Sequence, residues 1–178
     1  MLNISKNLVR TGILALLAAS CTSRAVDSGI TLERRANTST QLRLKGYYYH
    51  EDLIGTVTVM FLYKDGIVLS PGSFMRDDWS KREVFFSSQE GIRKFQDTQL
   101  AWGVYQIRGD TIFVERLHPS SGSYGGYHVL LETGRILSDT SFTFSHRSDD
   151  DESSSRYEET YLFKHFTPKP DSANKWIN

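Results

Sequence analysis

Beyond residue 40, apolar and polar positions alternate with a period of two along most of the chain. Over residues 56–63, Val57, Val59, Phe61 and Tyr63 share one face, and Thr56, Thr58, Met60 and Leu62 share the other. That period matches the pleat of a β-strand, which β-branched and aromatic side chains suit. Leu42, Leu44, Gly46 and the three tyrosines from Tyr47 to Tyr49 predict a strand before it. Lys64-Asp65-Gly66 predicts a tight turn, because Asp-Gly accepts a positive φ, and residues 67–69 would return from it. Ser70-Pro71-Gly72-Ser73 then breaks the pattern.

The alternation resumes at Trp102, Val104 and Gln106, which oppose Gly103, Tyr105 and Ile107. After a turn at Arg108-Gly109-Asp110, Ile112, Val114 and Arg116 oppose Phe113, Glu115 and Leu117. Further strands are expected over residues 127–132, 135–137, 141–146 and 157–166. A Gly-Ser-rich loop over 119–126, a turn at Thr133-Gly134 and an acidic-serine run over 148–155 separate them. One helix is expected in the middle. Ser87-Ser88-Gln89-Glu90 has the form of a capping box, and Ile92 and Phe95 fall on one helical face beyond it. Gly91 weakens this helix by about 1 kcal/mol relative to alanine, so two or three turns are expected. Pro168 and Pro170 end the last strand, and the tail over 168–178 is expected to be loose apart from Trp176 and Ile177.

The fold class predicted is all-β: an antiparallel meander of about eight to ten short strands over residues 41–167, with a short helix, closed into a barrel. A two-sheet β-sandwich is the alternative.

Residues 1–20 follow another pattern. Lys6 and Arg10 precede an uncharged apolar run over 11–19, about half the length a membrane-spanning helix needs. This is the layout of an export signal peptide. Leu17-Ala18-Ala19-Ser20 leads directly into Cys21, the chain's single cysteine. These residues resemble the lipobox of bacterial lipoproteins. The resemblance implies cleavage before Cys21, acylation of its thiol with lipids such as palmitate, and an anchor in the cell envelope. Thr22 stands where an aspartate would favour retention at the inner membrane, so the outer membrane is expected. Residues 21–40, poor in large apolar side chains, are expected to form a flexible tether.

Composition narrows the function. The 178 residues hold 21 Lys+Arg and 21 Asp+Glu. Removal of residues 1–20 takes away Lys6 and Arg10 and leaves a slight acidic excess. No basic excess supports a nucleic-acid partner. One cysteine cannot form an internal disulfide or a cysteine-only zinc cage. Ser121-Gly122-Ser123-Tyr124-Gly125 lacks the first glycine of a nucleophile elbow and lies in a loop. His50-Glu51-Asp52 and the acidic run at Asp149-Asp150-Asp151-Glu152 read as solvated turns in preference to metal sites. No catalytic residue, metal site or cofactor is predicted, and the chain is not expected to be an enzyme.

The aromatic residues are the candidates for binding. Tyr47, Tyr49, Phe61, Tyr63, Trp102, Tyr105, Phe142 and Phe144 lie on predicted strands, where inward-pointing rings would either line a ligand cavity or fill the barrel. The lipobox-like start and the hairpin train from Gly46 to Phe166 together resemble the lipocalin-like (calycin) lipoproteins of bacterial envelopes. At the family's Gly-x-Trp position, Gly46-Tyr47-Tyr48 carries tyrosine instead of tryptophan. The resemblance implies a small barrel at the envelope. Two functions are expected from these residues: binding of a small hydrophobic or amphipathic ligand in the barrel, or an adaptor role in which a filled barrel binds another envelope protein.

Replacement of Cys21 by alanine is expected to block cleavage and move the protein from the membrane fraction to the soluble fraction. Fractionation and intact-mass measurement check it.

Overall fold

A computed structural model describes residues 29–119, 126–149 and 154–177. Its strands are β1 (Gly46–Glu51), β2 (Thr56–Leu62), β3 (Ile67–Leu69), β4 (Ser73–Met75), β5 (Trp102–Arg108), β6 (Thr111–Pro119), β7 (Tyr127–Ser138), β8 (Ser141–Asp149) and β9 (Ser154–His165). They form one antiparallel sheet in the order β1-β9-β8-β7-β6-β5-β3-β2-β4, and β1 also pairs with β2. That extra pairing closes eight strands into a barrel, with β4 added beside the start of β2. The predicted all-β barrel is therefore the observed fold, and the sandwich is excluded.

Turn chemistry sets two of the hairpins. Gly66 (φ +85°) and Gly109 (φ +62°) occupy the left-handed region at the turns the sequence predicts. The turn expected at Thr133-Gly134 is absent: both residues lie inside β7, and the chain reverses at Asp139 and Thr140. Gly134 is there for space. A Cβ at this position would stand 2.3 Å from the Thr143 carbonyl oxygen of β8.

Two helices cross the outside instead of one. α2 (Gln89–Asp97) starts one residue later than the predicted box: Ser88 is the cap, its hydroxyl accepting from the Gly91 N–H at 3.0 Å, while Ser87 ends the preceding helix. α1 (Trp79–Ser87) is the unpredicted one. Its N-cap Asp78 makes no side-chain cap, and its apolar residues do not collect on one stripe, so no sequence signal marks it. Tertiary contacts hold it. The Tyr47 hydroxyl donates to Glu83 (2.6 Å), Lys164 pairs with Glu83 (2.9 Å), and the Trp79 indole donates to Tyr47 (2.8 Å). Burial opposes ionisation of Glu83, but Tyr47 and Lys164 hold its carboxyl below the usual range.

The strand wall separates two apolar layers. Inside the barrel lie Tyr48, Met60, Leu62, Val68, Tyr105, Ile112, Val114, Phe142, Phe144 and Tyr161. Outside β1, β2, β3 and β5, a second cluster packs under the helices around Phe86 and Phe95. A wall buried on both faces explains why Tyr47 and Tyr48, adjacent in sequence, are both buried.

Two expectations about the chain ends are corrected. Residues 29–40, predicted as part of a flexible tether, run down the outside of β5 and β6. Glu115 accepts from the Thr31 N–H (2.8 Å), the Thr31 hydroxyl (2.9 Å) and the Leu32 N–H; Gln106 donates to the Glu33 carbonyl (2.6 Å). The tail beyond Pro168, expected to be loose, is also docked. Tyr63 donates to the Pro170 carbonyl (2.8 Å), Trp176 donates to Gln96 (2.9 Å), and Ile177 is buried. Short polar runs look solvated in sequence, yet here their backbone groups find partners on the barrel wall. No helix among the described residues is long and apolar enough to cross a membrane.

Lys169 carries the tail across one barrel end. Its ammonium donates to the Leu44 and Leu62 carbonyls (2.7 and 2.9 Å) and sits 4.1 Å from the Tyr63 ring centre. Burial lowers its pKa to about 8. Unfolding thus takes up a proton between pH 8 and the ordinary lysine value, so this group's contribution to stability rises with pH across that window. Urea unfolding at pH 7.5 and pH 10 is expected to show the native protein gaining stability relative to Lys169→Met.

Candidate functional site

The eight aromatic residues expected to bind a ligand do not share a cavity. Tyr47, Tyr49, Phe61, Tyr63 and Trp102 belong to the outer layer under the helices, and Tyr105, Phe142 and Phe144 belong to the interior. The interior rings contact one another. Phe142 stacks on Tyr161 (5.2 Å, 7° between planes) and lies edge-on to Phe144 (5.1 Å), with Tyr48 at 5.1 Å. Such contacts fill a small barrel, so these residues are core. Alternation correctly places them in the wall but does not say which face is lined with open space.

The three side chains of His50-Glu51-Asp52 serve different partners. His50 Nδ1 contacts the Thr160 carbonyl (3.1 Å), Glu51 pairs with Arg76 (2.9 Å), and Asp52 caps its own turn. Among the described residues no group of three or more His, Cys, Asp or Glu is placed to hold a metal ion. Cys21 and the Ser121 to Gly125 run lie outside the described residues, as does most of the acidic run.

Open space lies elsewhere, and the strand lengths create it. β3 and β4 share one edge of β2, but β5 pairs only with β3 and begins at Trp102. β6 continues to Pro119, past the start of β5. Between β4 and the end of β6 the wall therefore has a gap, bridged by α1, α2 and the 3-10 turn Gln99–Ala101. A cleft of about 330 Å³ opens there. Its walls include Phe85, Phe95, Leu100 and Leu117. Among the described residues its charged lining is basic, with Arg82, Lys94 and Arg116, and His118 is beside them.

The local sequence places the cations. A tight corner at Ser88 folds α2 back on α1; a Cβ at Gly91 would stand 1.9 Å from the Phe85 carbonyl oxygen. This corner sets Arg82 against the Phe74 ring (5.7 Å) and Lys94 against the Phe85 ring (5.8 Å). Neither has a carboxylate within ion-pair distance among the described residues. Arg116 comes from inside the barrel. His118, half-buried with its ring 5.2 Å from that of His128, has its pKa lowered by burial and by the charges of Arg116, His128 and Arg147.

Behind the cleft is a buried charge cluster. Glu132 is 0% exposed and accepts from Arg116 (3.0 Å), Arg147 (3.2 Å) and the Tyr157 hydroxyl (2.8 Å). Burial alone would push its carboxyl up, but Arg116, Tyr157 and Arg147 reverse this and hold it below the usual range. Glu159 acts on Arg147 as well, so the two arginines face two carboxylates. A second, larger depression of about 620 Å³ between residues 35–41 and the β5–β6 turn is lined mostly by polar side chains, with Arg35 and Arg108 its charged residues.

None of the cleft's cations was singled out from sequence. Arg82 and Lys94 sit on helices whose corner is a tertiary matter. Arg116 was legible in principle, because it shares the Ile112 and Val114 face and is thus a charge on an inward position.

Glu132→Ala is expected to destabilise the fold by about 3 kcal/mol, since it leaves the largely buried Arg116 and the partly exposed Arg147 without their carboxylate. The depressed carboxyl pKa gives the matching pH dependence. Its stabilisation is complete above the ordinary glutamate value and is lost as pH falls through the lower folded one. Urea titrations should show the gap between the native protein and Glu132→Gln narrowing below about pH 4.

No family model matches the chain, and no curated protein or solved structure matches it either.

Proposed function

We propose that the chain is a lipid-anchored, non-enzymatic protein of the bacterial cell envelope, held at the outer membrane by Cys21, that binds a small anionic amphipath. The observation carrying the ligand reading is the lateral cleft, where aromatic and aliphatic walls meet Arg82 and Lys94, with Arg116, paired to Glu132, behind them. Apolar walls receive a hydrocarbon chain through the hydrophobic effect, and the basic lining receives a carboxylate or phosphate head. The interior has no such role in this proposal, because its rings fill it. The anchor reading rests on the lipobox-like residues before Cys21.

The packed interior favours a second reading, in which the domain is a rigid adaptor for another envelope protein. Native mass spectrometry separates the two on protein exported by cells and purified without detergent. A stoichiometric extra mass that leaves on denaturation supports the ligand reading; a bare mass supports the adaptor.

A fluorescent fatty acid such as parinaric acid is expected to bind saturably at one site. Charge reversal at Arg82 and Lys94 together is expected to weaken it roughly tenfold to a hundredfold, as expected for lost charge-assisted contacts. Both side chains are exposed, so the melting temperature should stay near that of the native protein. Unchanged affinity in the double variant would place the ligand elsewhere.

A further inference from the structure

The most exposed large apolar residues of the described chain are at a hairpin tip. Leu53 and Ile54, in the turn between β1 and β2, are 106% and 78% exposed. Met75, which pairs with Thr56 beside them, is 51% exposed. The turn is held rigidly. Asp52 accepts from the Ile54 and Thr56 N–H groups (3.0 and 2.8 Å), its own N–H donates to the Thr56 carbonyl (3.0 Å), and Arg76 donates its N–H to Gly55 (2.9 Å). Gly55 takes the positive φ (+83°) the reversal requires. Two apolar side chains are thus presented to solvent by a fixed scaffold and cannot fold back onto the barrel.

Strand directions place this tip. β1 runs toward it and β2 away, while β6 ends and β7 begins at the same end of the barrel. The docked N-terminal segment starts at that end too. Gly29 is beside Val129 near the start of β7, and the segment then descends past Glu115 and Gln106 to Lys64 at the other end. Cys21 is eight residues before Gly29, which allows a reach of at most about 26–29 Å even for fully extended chain. A lipid on Cys21 therefore lies within that distance of Gly29, which is at the end that carries Leu53 and Ile54.

We propose that Leu53 and Ile54 form a wedge that inserts into the bilayer anchoring Cys21, so that the barrel stands with this end against the membrane. The proposal rests on the acylation of Cys21. At the tip Arg76 pairs with Glu51 (2.9 Å) and Lys81 with Asp78 (3.1 Å), Asp77 makes no ion pair among the described residues, and β8 brings Asp149 to the same end, so no cationic patch selects anionic lipid. Insertion then draws on apolar burial and tolerates zwitterionic lipid and high salt. The lateral cleft lies in the half of the barrel nearest the lipid, where an amphipath would arrive.

The acylated full chain in phosphatidylcholine vesicles tests this. Acylation consumes the single native thiol, so Leu53→Cys or Leu137→Cys supplies one site for a polarity-sensitive fluorophore. Leu137, 57% exposed, lies at the opposite end of β7 beside the β7–β8 turn. The label at position 53 should shift to the blue and be quenched by nitroxide-bearing lipid, also in 1 M salt. The label at 137 should stay water-like. Adding Ile54→Asp should return the label at 53 toward water. Water-like emission at both positions overturns the wedge while leaving the anchor intact. Protection at 53 in cells without quenching by nitroxide lipid overturns it in favour of a protein partner. A chain whose mass carries no acyl group overturns the anchor reading, and the wedge with it.

Discussion

β1 is hydrogen-bonded along both edges, to β2 on one side and β9 on the other, and this double pairing closes the sheet. Closure satisfies strand edges that would otherwise face water, and it forces every inward side chain into one shared space. Eight strands leave that space just wide enough for side chains. Tyr48, Phe142, Phe144 and Tyr161 fill it near one level, and Gly134 yields room for Phe144 and the Thr143 backbone. Because the interior is occupied, a binding role needs another location.

The same closure explains where that location arises. A perfectly regular barrel has no lateral gap, but β3 is three residues long and β5 begins only at Trp102. The chain covers the missing stretch of wall with a helix pair instead of a strand, and helices meet a strand edge less closely than another strand would. The cleft is the residue of that mismatch. Its basic lining joins Arg116, whose partner Glu132 is inside, to Arg82 and Lys94 on the helical cover. One buried carboxylate shared by two arginines ties the inside of the barrel to the cleft.

Residues 29–40 are fixed along β5 and β6 by Glu115 and Gln106. Here the same end of the barrel holds the start of the docked segment and the exposed apolar turn.

Much of this architecture was legible in the residues. Period-two alternation at Thr56 to Tyr63 and Trp102 to Leu117 and the glycine turns at Gly66 and Gly109 act through near neighbours and are found as expected, and the helix start is found with its cap one residue later, at Ser88. What near neighbours do not decide was missed. α1 has no cap and no stripe, and its Glu83 is held by Tyr47 and Lys164 from two distant segments. Gly134 reads as a turn in sequence, and only the neighbouring β8 reveals it as a space-maker. The aromatic candidates were recognised as strand residues, but whether a ring lines a cavity or fills a core depends on what stands opposite. By itself the sequence determined the strands, most of their turns and the all-β class, because period and turn preference are local properties of the backbone. Only the tertiary structure decided that the described interior rings pack against one another, that Arg82, Lys94 and Arg116 gather at a side cleft and that residues 29–40 and 168–177 are docked, because each depends on residues far apart in sequence competing for the same space.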